Sequence, residues 1–227
     1  MIISERKPFT NEELDFIRKV YGYGKYCEYK VYSTEITFED HVNIAEAEKQ
    51  YLPLSMIASA ETTWDWQRKN DEILFIACTR ENSTMVGHLS AFPIKPDLAQ
   101  ALCNHSVKDT EFTAEDIQYY YSFLENALYI SVVCVDRKHR GLVTDLLFKE
   151  LIKLIRKKIK IGCKFTEVIA EACTSEGESL LRKIGFEKLD PELPAMFRIS
   201  TEEFLENVNS WLHARAKSRA FELKTQG

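Results

Sequence analysis

Two apolar runs joined by one long amphipathic helix constrain this chain more than any other feature. Ala127–Val135 (ALYISVVCV) is its most apolar segment and reads as a buried strand. Over Leu142–Lys160 apolar residues recur at helical spacing. Val143, Leu147, Leu151 and Leu154 form one stripe, with Phe148, Ile152, Ile155 and Ile159 beside it. Gly162 ends that helix. Phe165–Ala172 (FTEVIAEA) then alternates as a strand and places Val168, Ala170 and Ala172 on one face. Strand, helix and strand in this order bury their apolar faces together when the strands lie parallel and the helix packs across them.

The remaining pattern surrounds that unit. Thr10-Asn11-Glu12-Glu13 is a capping box that opens a helix carrying Leu14, Ile17 and Val20, and Tyr21-Gly22-Tyr23-Gly24 ends it. Glu28–Ile36 reads as a weak strand, and Phe38–Tyr51 and Ser55–Arg68 read as helices. Glu72–Thr79 and Thr84–Ile94 form a hairpin around Arg80–Ser83. Asp97–Cys103 is a short helix, Thr174–Ile184 a helix stopped at Gly185, and Ala195–Ile199 a last strand. Ser200-Thr201-Glu202-Glu203 opens a final helix with Phe204, Leu205, Val208, Trp211 and Leu212 on its apolar side. Asn104–Glu115 is a long polar connection of the kind that carries function inside a compact domain, and Tyr119-Tyr120-Tyr121 after it either lines an acceptor site or packs as part of an amphipathic helix. Nothing in the pattern divides the chain. The expectation is a single domain over residues 1–227, α/β in class, with an α+β mixed sheet flanked by helices.

The junction inside the central unit is the chemically informative stretch. In SVVCVDRKHRGLVTDLL, Ser131–Leu147, a buried strand turns into a helix through a basic corner with one glycine. The first amides of a helix lack intrahelical acceptors and carry the positive end of its dipole. Arg137, Lys138 and Arg140 add full charges there, so the corner suits an anion. His139 is a further candidate for a phosphate contact, or else a solvated loop histidine. Lys153, Arg156, Lys157, Lys158 and Lys160 make the far end of the helix basic, as a solvated face that suits the dipole.

Several functions are excluded or disfavoured. A net charge of −5 argues against a dedicated nucleic-acid binder. No apolar run approaches the roughly 18 residues of a membrane span. The start, MIISERKPF, is too short and charged for a secretory signal. The six cysteines form no C-x-x-C pair, and several sit in apolar runs, which reads as buried free thiols in a reducing, cytoplasmic setting. The histidines have no metal-ligand spacing, and no Walker loop, nucleophile elbow or dinucleotide fingerprint occurs.

Val132–Leu147, followed at a distance by Ser179–Phe186 (SLLRKIGF), resembles the GNAT superfamily of acyl-CoA N-acyltransferases. Its members place the signature Q/R-x-x-G-x-G/A between a strand and a helix, then a second strand and a helix ending in Gly-Phe. Arg140 fits the first signature position and Gly141 the glycine that commonly follows. Val143 stands where the signature has glycine, and Asp145 where it has Gly or Ala. The resemblance implies a GNAT-like fold and acetyl-CoA, or another acyl-CoA, as cosubstrate without a metal. The backbone of Val133 and Val135 would pair with the pantetheine amides beside a splayed, bulged strand. Main-chain N–H groups over Arg140, Gly141, Leu142, Val143, Thr144 and Asp145 would hold the pyrophosphate, provided that the Val143 and Asp145 side chains point away.

The reaction it implies is direct acyl transfer to a primary amine of a small molecule or peptide, with a general base and a proton for the leaving thiolate. The position usually held by the acidic tyrosine is Leu181, and the position of an early strand glutamate is Tyr129. Glu171 and Tyr129 are the candidate catalytic residues. A binding or regulatory module that keeps the shape without catalysis is the alternative, and Val143, Asp145 and Leu181 are the residues that favour it. The apolar side of the Thr201–Lys224 helix either caps its own domain or forms a homodimer.

Overall fold

The computed structural model describes residues 28–120 and 124–225, and the expected pair of parallel strands lies at its centre. The helix expected after Thr10, its stop at Tyr21–Gly24, Cys27 and Tyr121 fall outside the described residues. The described strands are β1 Tyr29–Tyr32, β2 Leu74–Thr79, β3 Met85–Ile94, β4 Glu125–Val135, β5 Lys164–Ala172, β6 Glu187–Lys188 and β7 Ala195–Ser200. They form one mixed sheet in the order β1-β2-β3-β4-β5-β7-β6. β4 and β5 are parallel, and every other neighbouring pair is antiparallel. The described helices are α1 Phe38–Glu48, α2 Ala60–Lys69, α3 Pro96–Cys103, α4 Leu142–Lys160, α5 Ser175–Ile184 and α6 Thr201–Thr225. The mixed sheet flanked by helices that the GNAT resemblance implied is the fold observed.

Two cores divide the helices between the sheet's faces. On one face Leu147, Phe148, Leu151 and Ile155 of α4 pack with Leu128 and Ile130 of β4 and with Val168, Ala170 and Ala172 of β5. Phe204 and Val208 of α6 are buried in this core, with Leu205, Trp211 and Leu212 against it, so the apolar side of the last helix caps its own domain. On the other face Ile44 of α1, Trp66 of α2, Ala99 and Leu102 of α3 pack on Phe92, Tyr129 and Ile169. Full burial of each such large side chain contributes about 1.5–3 kcal/mol.

Three expectations change. The helix read over Ser55–Arg68 is a short 3₁₀ turn, Leu54–Met56, followed by α2, which begins only after Ser59 caps the Thr62 amide. Lys158, read as part of a solvated basic run, is buried. Its Nζ pairs with Glu72 and lies 5.6 Å from the centre of the Tyr120 ring. Tyr119-Tyr120 is not helical: Tyr120 is buried and donates to the Ala91 carbonyl at 2.8 Å, whereas Tyr119 is exposed under Lys69.

Candidate functional site at the β4–β5 splay

The site begins with one extra residue. β3 pairs Ser90 with Val132 and Ala91 with Ile130, so Ser131 has no opposite number and β4 bulges there. A bulge shifts the alternation by one. Before it, Leu128 and Ile130 face α4; after it, Val133 and Val135 do. On the other edge the parallel pairing with β5 ends at Ile130–Ala170, although β4 runs on to Val135 and β5 to Ala172. The two strands therefore part just where the bulge re-aims β4.

A cleft of about 510 Å³ opens into this gap on the α4 face, a size ordinary for a small-molecule site. Val133, Val135, Arg140, Gly141 and Thr144 line it; Leu142, Val143 and Asp145 do not. The α4 N-terminus has no side-chain cap, because its N-cap is Gly141, which adopts φ 94°. That conformation suits glycine alone among common residues. A Cβ there would also sit 3.1 Å from Nη2 of Arg215, another residue lining the cleft.

The two departures from the signature point away from this space. Val143 is fully buried in the core, so close to β3 that a Cβ on Gly87 would lie 3.1 Å from its Cγ1. Asp145 is 2% exposed and accepts from Arg215 Nε at 2.7 Å. Arg215, on α6, leans over the Trp211 ring at 5.2 Å. The final helix, undiagnostic as sequence, thus brings a guanidinium beside the α4 N-terminus. Arg140 is exposed and faces Glu176 of α5 at 3.6 Å. His139 is half-buried and does not line the cleft: its Nδ1 bonds the Tyr29 hydroxyl at 2.9 Å and the rings meet edge-on.

A second, smaller cavity of about 60 Å³ lies on the α1–α3 face. It meets the cleft at Leu52, Ser131, Val132, Glu171 and Cys173, which line both. Alternation along β5 puts Glu171 opposite Ala170 and Ala172. Burial raises its carboxyl above the usual range, and the Asp109 charge adds to the effect. Asp109 sits in the long polar connection, in a 3₁₀ turn over Asp109–Glu111. Phe112, buried under Trp66, anchors that turn, and Trp66 Nε1 donates to the Phe112 carbonyl at 3.2 Å. Burial raises the Asp109 pKa too, against the hydroxyls that donate to its Oδ2: Tyr129 at 3.0 Å and Ser131 at 3.4 Å. Tyr129, expected as a catalytic candidate, lines neither cavity; its ring packs on Phe92 and Phe112, and burial keeps its phenol protonated. Cys173 is pushed up to about 12 by burial first and then by Glu171 and Asp109, so it stays a thiol and a poor nucleophile. Leu181 lines the cleft with no proton to give.

The deeper end of this cavity was not read from the sequence. Glu48 of α1 and His88 of β3, both buried, bond at 2.9 Å. His41 of α1 bonds Thr63 Oγ1 through Nδ1 at 2.9 Å. Asp109 had one signal, its place in a long connection; His41, Glu48 and His88 had none. Among the described residues no group of three or more metal-binding side chains occurs, and no helix is long and apolar enough to cross a membrane.

No protein-family model matches this chain, and no curated protein matches it. Solved structures do. Naa50 of Arabidopsis thaliana, in complex with the bisubstrate analogue CoA-Ac-MVNAL, is 12% identical over 77% of this chain and 98% of that one, with a TM-score of 0.47. A GNAT-family acetyltransferase of Listeria monocytogenes is 13% identical over 76% and 94%, at 0.43. An uncharacterized protein of Bacillus halodurans is 11% identical over 82% and 91%, at 0.46. Similarity at this level assigns neither substrate nor activity to this chain.

Proposed function

We propose that this chain is a GNAT-type N-acyltransferase that moves an acetyl or other acyl group from acyl-CoA to a primary amine. One observation carries the reading. β4 and β5 part at a bulge, and the gap joins a cleft beside an uncapped helix N-terminus to an acid-lined cavity on the opposite face. Two substrates that approach from opposite faces would meet at Ser131 and Glu171.

The parts fit an acyl-CoA. The unpaired edge of β4 at Val133 and Val135 offers main-chain groups to an extended amide chain, as an added strand would. The start of α4, with Arg140 and Arg215, suits a diphosphate, but not through the Val143 and Asp145 amides, which already donate to the His139 and Gly141 carbonyls at 3.3 and 3.0 Å. Asp145 then has a role: it holds Arg215 by Nε and leaves the other guanidinium nitrogens toward the cleft. The thioester supplies an activated acyl carbon. Glu171 takes the amine proton; its raised pKa brings it nearer the basicity a general base needs at neutral pH. Asp109 holds Tyr129 and Ser131 in place behind it. The nitrogen–carbon bond forms as the carbon–sulfur bond breaks, and the leaving thiolate takes a proton from solvent. Cys173, held as a thiol, is not an acyl carrier, which leaves direct transfer between aligned substrates.

Leu181 at the usual acid position favours the second reading, a CoA-binding module without catalysis. Thermal unfolding with acetyl-CoA tests the shared part: at about 100 times its dissociation constant the ligand stabilises by roughly 2.7 kcal/mol. No shift ends both readings. A shift together with amine-dependent thiol release supports the enzyme, and a shift without release supports the module.

A further inference from the structure

The deep cavity names its own ligand by what it lacks. Its polar lining holds three carboxyl groups, those of Glu48, Asp109 and Glu171. Asp109 Oδ2 already takes two hydroxyls, Glu171 and Glu48 are carboxylates, and Glu48 is bonded by His88. His41 adds an acceptor of a definite kind. When the Thr63 hydroxyl proton points to the Ala60 carbonyl, 3.3 Å away, Oγ1 accepts from His41 Nδ1 at 2.9 Å. In that tautomer Nδ1 carries the ring proton and Nε2 bears a lone pair. His41 is 2% exposed, lines the cavity, and its Nε2 has no hydrogen-bond partner. A buried polar atom left unpaired is costly, so a lone pair of this kind inside a cavity marks where a ligand donates.

The spatial order of these groups adds the ligand's shape. Glu171 and Ser131 belong to the junction with the cleft. His41, Glu48 and His88 line the cavity only, away from the junction. The lining also includes the apolar side chains of Ile44, Met56, Trp66, Ile73 and Leu74. A cavity of about 60 Å³ holds a ligand of few atoms. We infer that the acceptor is a short aliphatic diamine: one nitrogen is acylated beside Glu171, and the other donates to His41 Nε2 and the Glu48 carboxylate. This inference rests on the acyltransferase reading and adds the substrate class to it.

The test compares amines of equal length at saturating acetyl-CoA. Diamines of three to five carbons and the matching n-alkylamines are assayed by thiol release, with calorimetric binding of each amine to the CoA-bound protein as a readout independent of turnover. A site that hydrogen-bonds a buried group rejects the analogue lacking it strongly, so the best diamine should exceed its monoamine about 100-fold or more in kcat/KM. His41→Leu should bring that ratio to within about threefold. Thr63→Val, which frees the imidazole to switch tautomer, should also lower it and serves if His41→Leu does not fold. If acetyl-CoA binds but mono- and diamines react equally, or neither reacts, the diamine assignment is overturned while the cofactor site stands. If acetyl-CoA fails to bind the wild-type protein, the acyltransferase reading itself falls, and the inference with it.

Discussion

The two faces of the splayed sheet offer recognition of different kinds. The α4 face presents main chain: an unpaired strand edge, a helix start that has Gly141 at the N-cap position and no side-chain cap, and a guanidinium carried in from α6. The α1–α3 face presents side chains: Glu171, Asp109, Glu48 and His41, each held by its own hydrogen bonds or packing. Main-chain recognition depends on how the strand and helix run, so it tolerates wide changes in the residues that point elsewhere. Val143 and Asp145 illustrate this: both side chains point away from the cleft, one into the core and the other to Arg215. Side-chain recognition has no such latitude, since each change removes a donor, an acceptor or a charge.

Substitutions can break that contrast, and the largest effect belongs to the side-chain face. Glu171→Gln should lower kcat by about 10²–10⁴-fold, the usual worth of a general base, with little change in acyl-CoA affinity. In the wild-type protein kcat/KM should rise with pH through a pKa above the ordinary carboxylate range. The base must be deprotonated, and burial together with Asp109 delays that step.

On the main-chain face, Val143→Gly restores the signature residue. It should cost about 3 kcal/mol in unfolding free energy, from the core cavity and the helical glycine, and leave acyl-CoA affinity where it was. Tighter binding by this variant would show that Val143 obstructs the cleft and that the contrast is mistaken. Arg215→Met, made with Asp145→Asn to keep the fold, should weaken CoA binding about 10–100-fold, as expected for a charged hydrogen bond. It should leave acetylpantetheine, which lacks the diphosphate, unaffected; equal losses for both would place Arg215 outside the diphosphate site.

The smallest effect concerns stability. Burial lowers the His41 pKa to about 4 from an ordinary 6.5, so the folded state resists its protonation. Its contribution is complete above pH 6.5 and is lost as pH falls toward 4. Chemical unfolding across that window should show a decline that His41→Leu flattens.

Much of this molecule is legible from period and punctuation. The βαβ unit, the uncapped corner and the side of β5 on which Glu171 lies follow from repeats of two and of 3.6 residues. Local sequence sets those repeats, and α4 spans Leu142–Lys160 as its pattern requires. Local pattern fails where a residue's partner is distant. Nothing near Lys158 announces Glu72, nothing near His139 announces Tyr29, and Asp145 and Arg215 are 70 positions apart. The bulge at Ser131 is equally silent, because an extra residue shows only against a paired neighbour.

The sequence by itself determined the central βαβ frame, the anion-suited helix start and the strand that presents Glu171, since burial of alternating and helical apolar faces leaves few arrangements. The tertiary structure alone decided that Val143 turns into the core, that α6 brings Arg215 to the cleft, and that His41, Glu48, His88 and Asp109 meet in one cavity. Those outcomes depend on how packed layers bring remote segments together, and the local spacing of residues does not encode it.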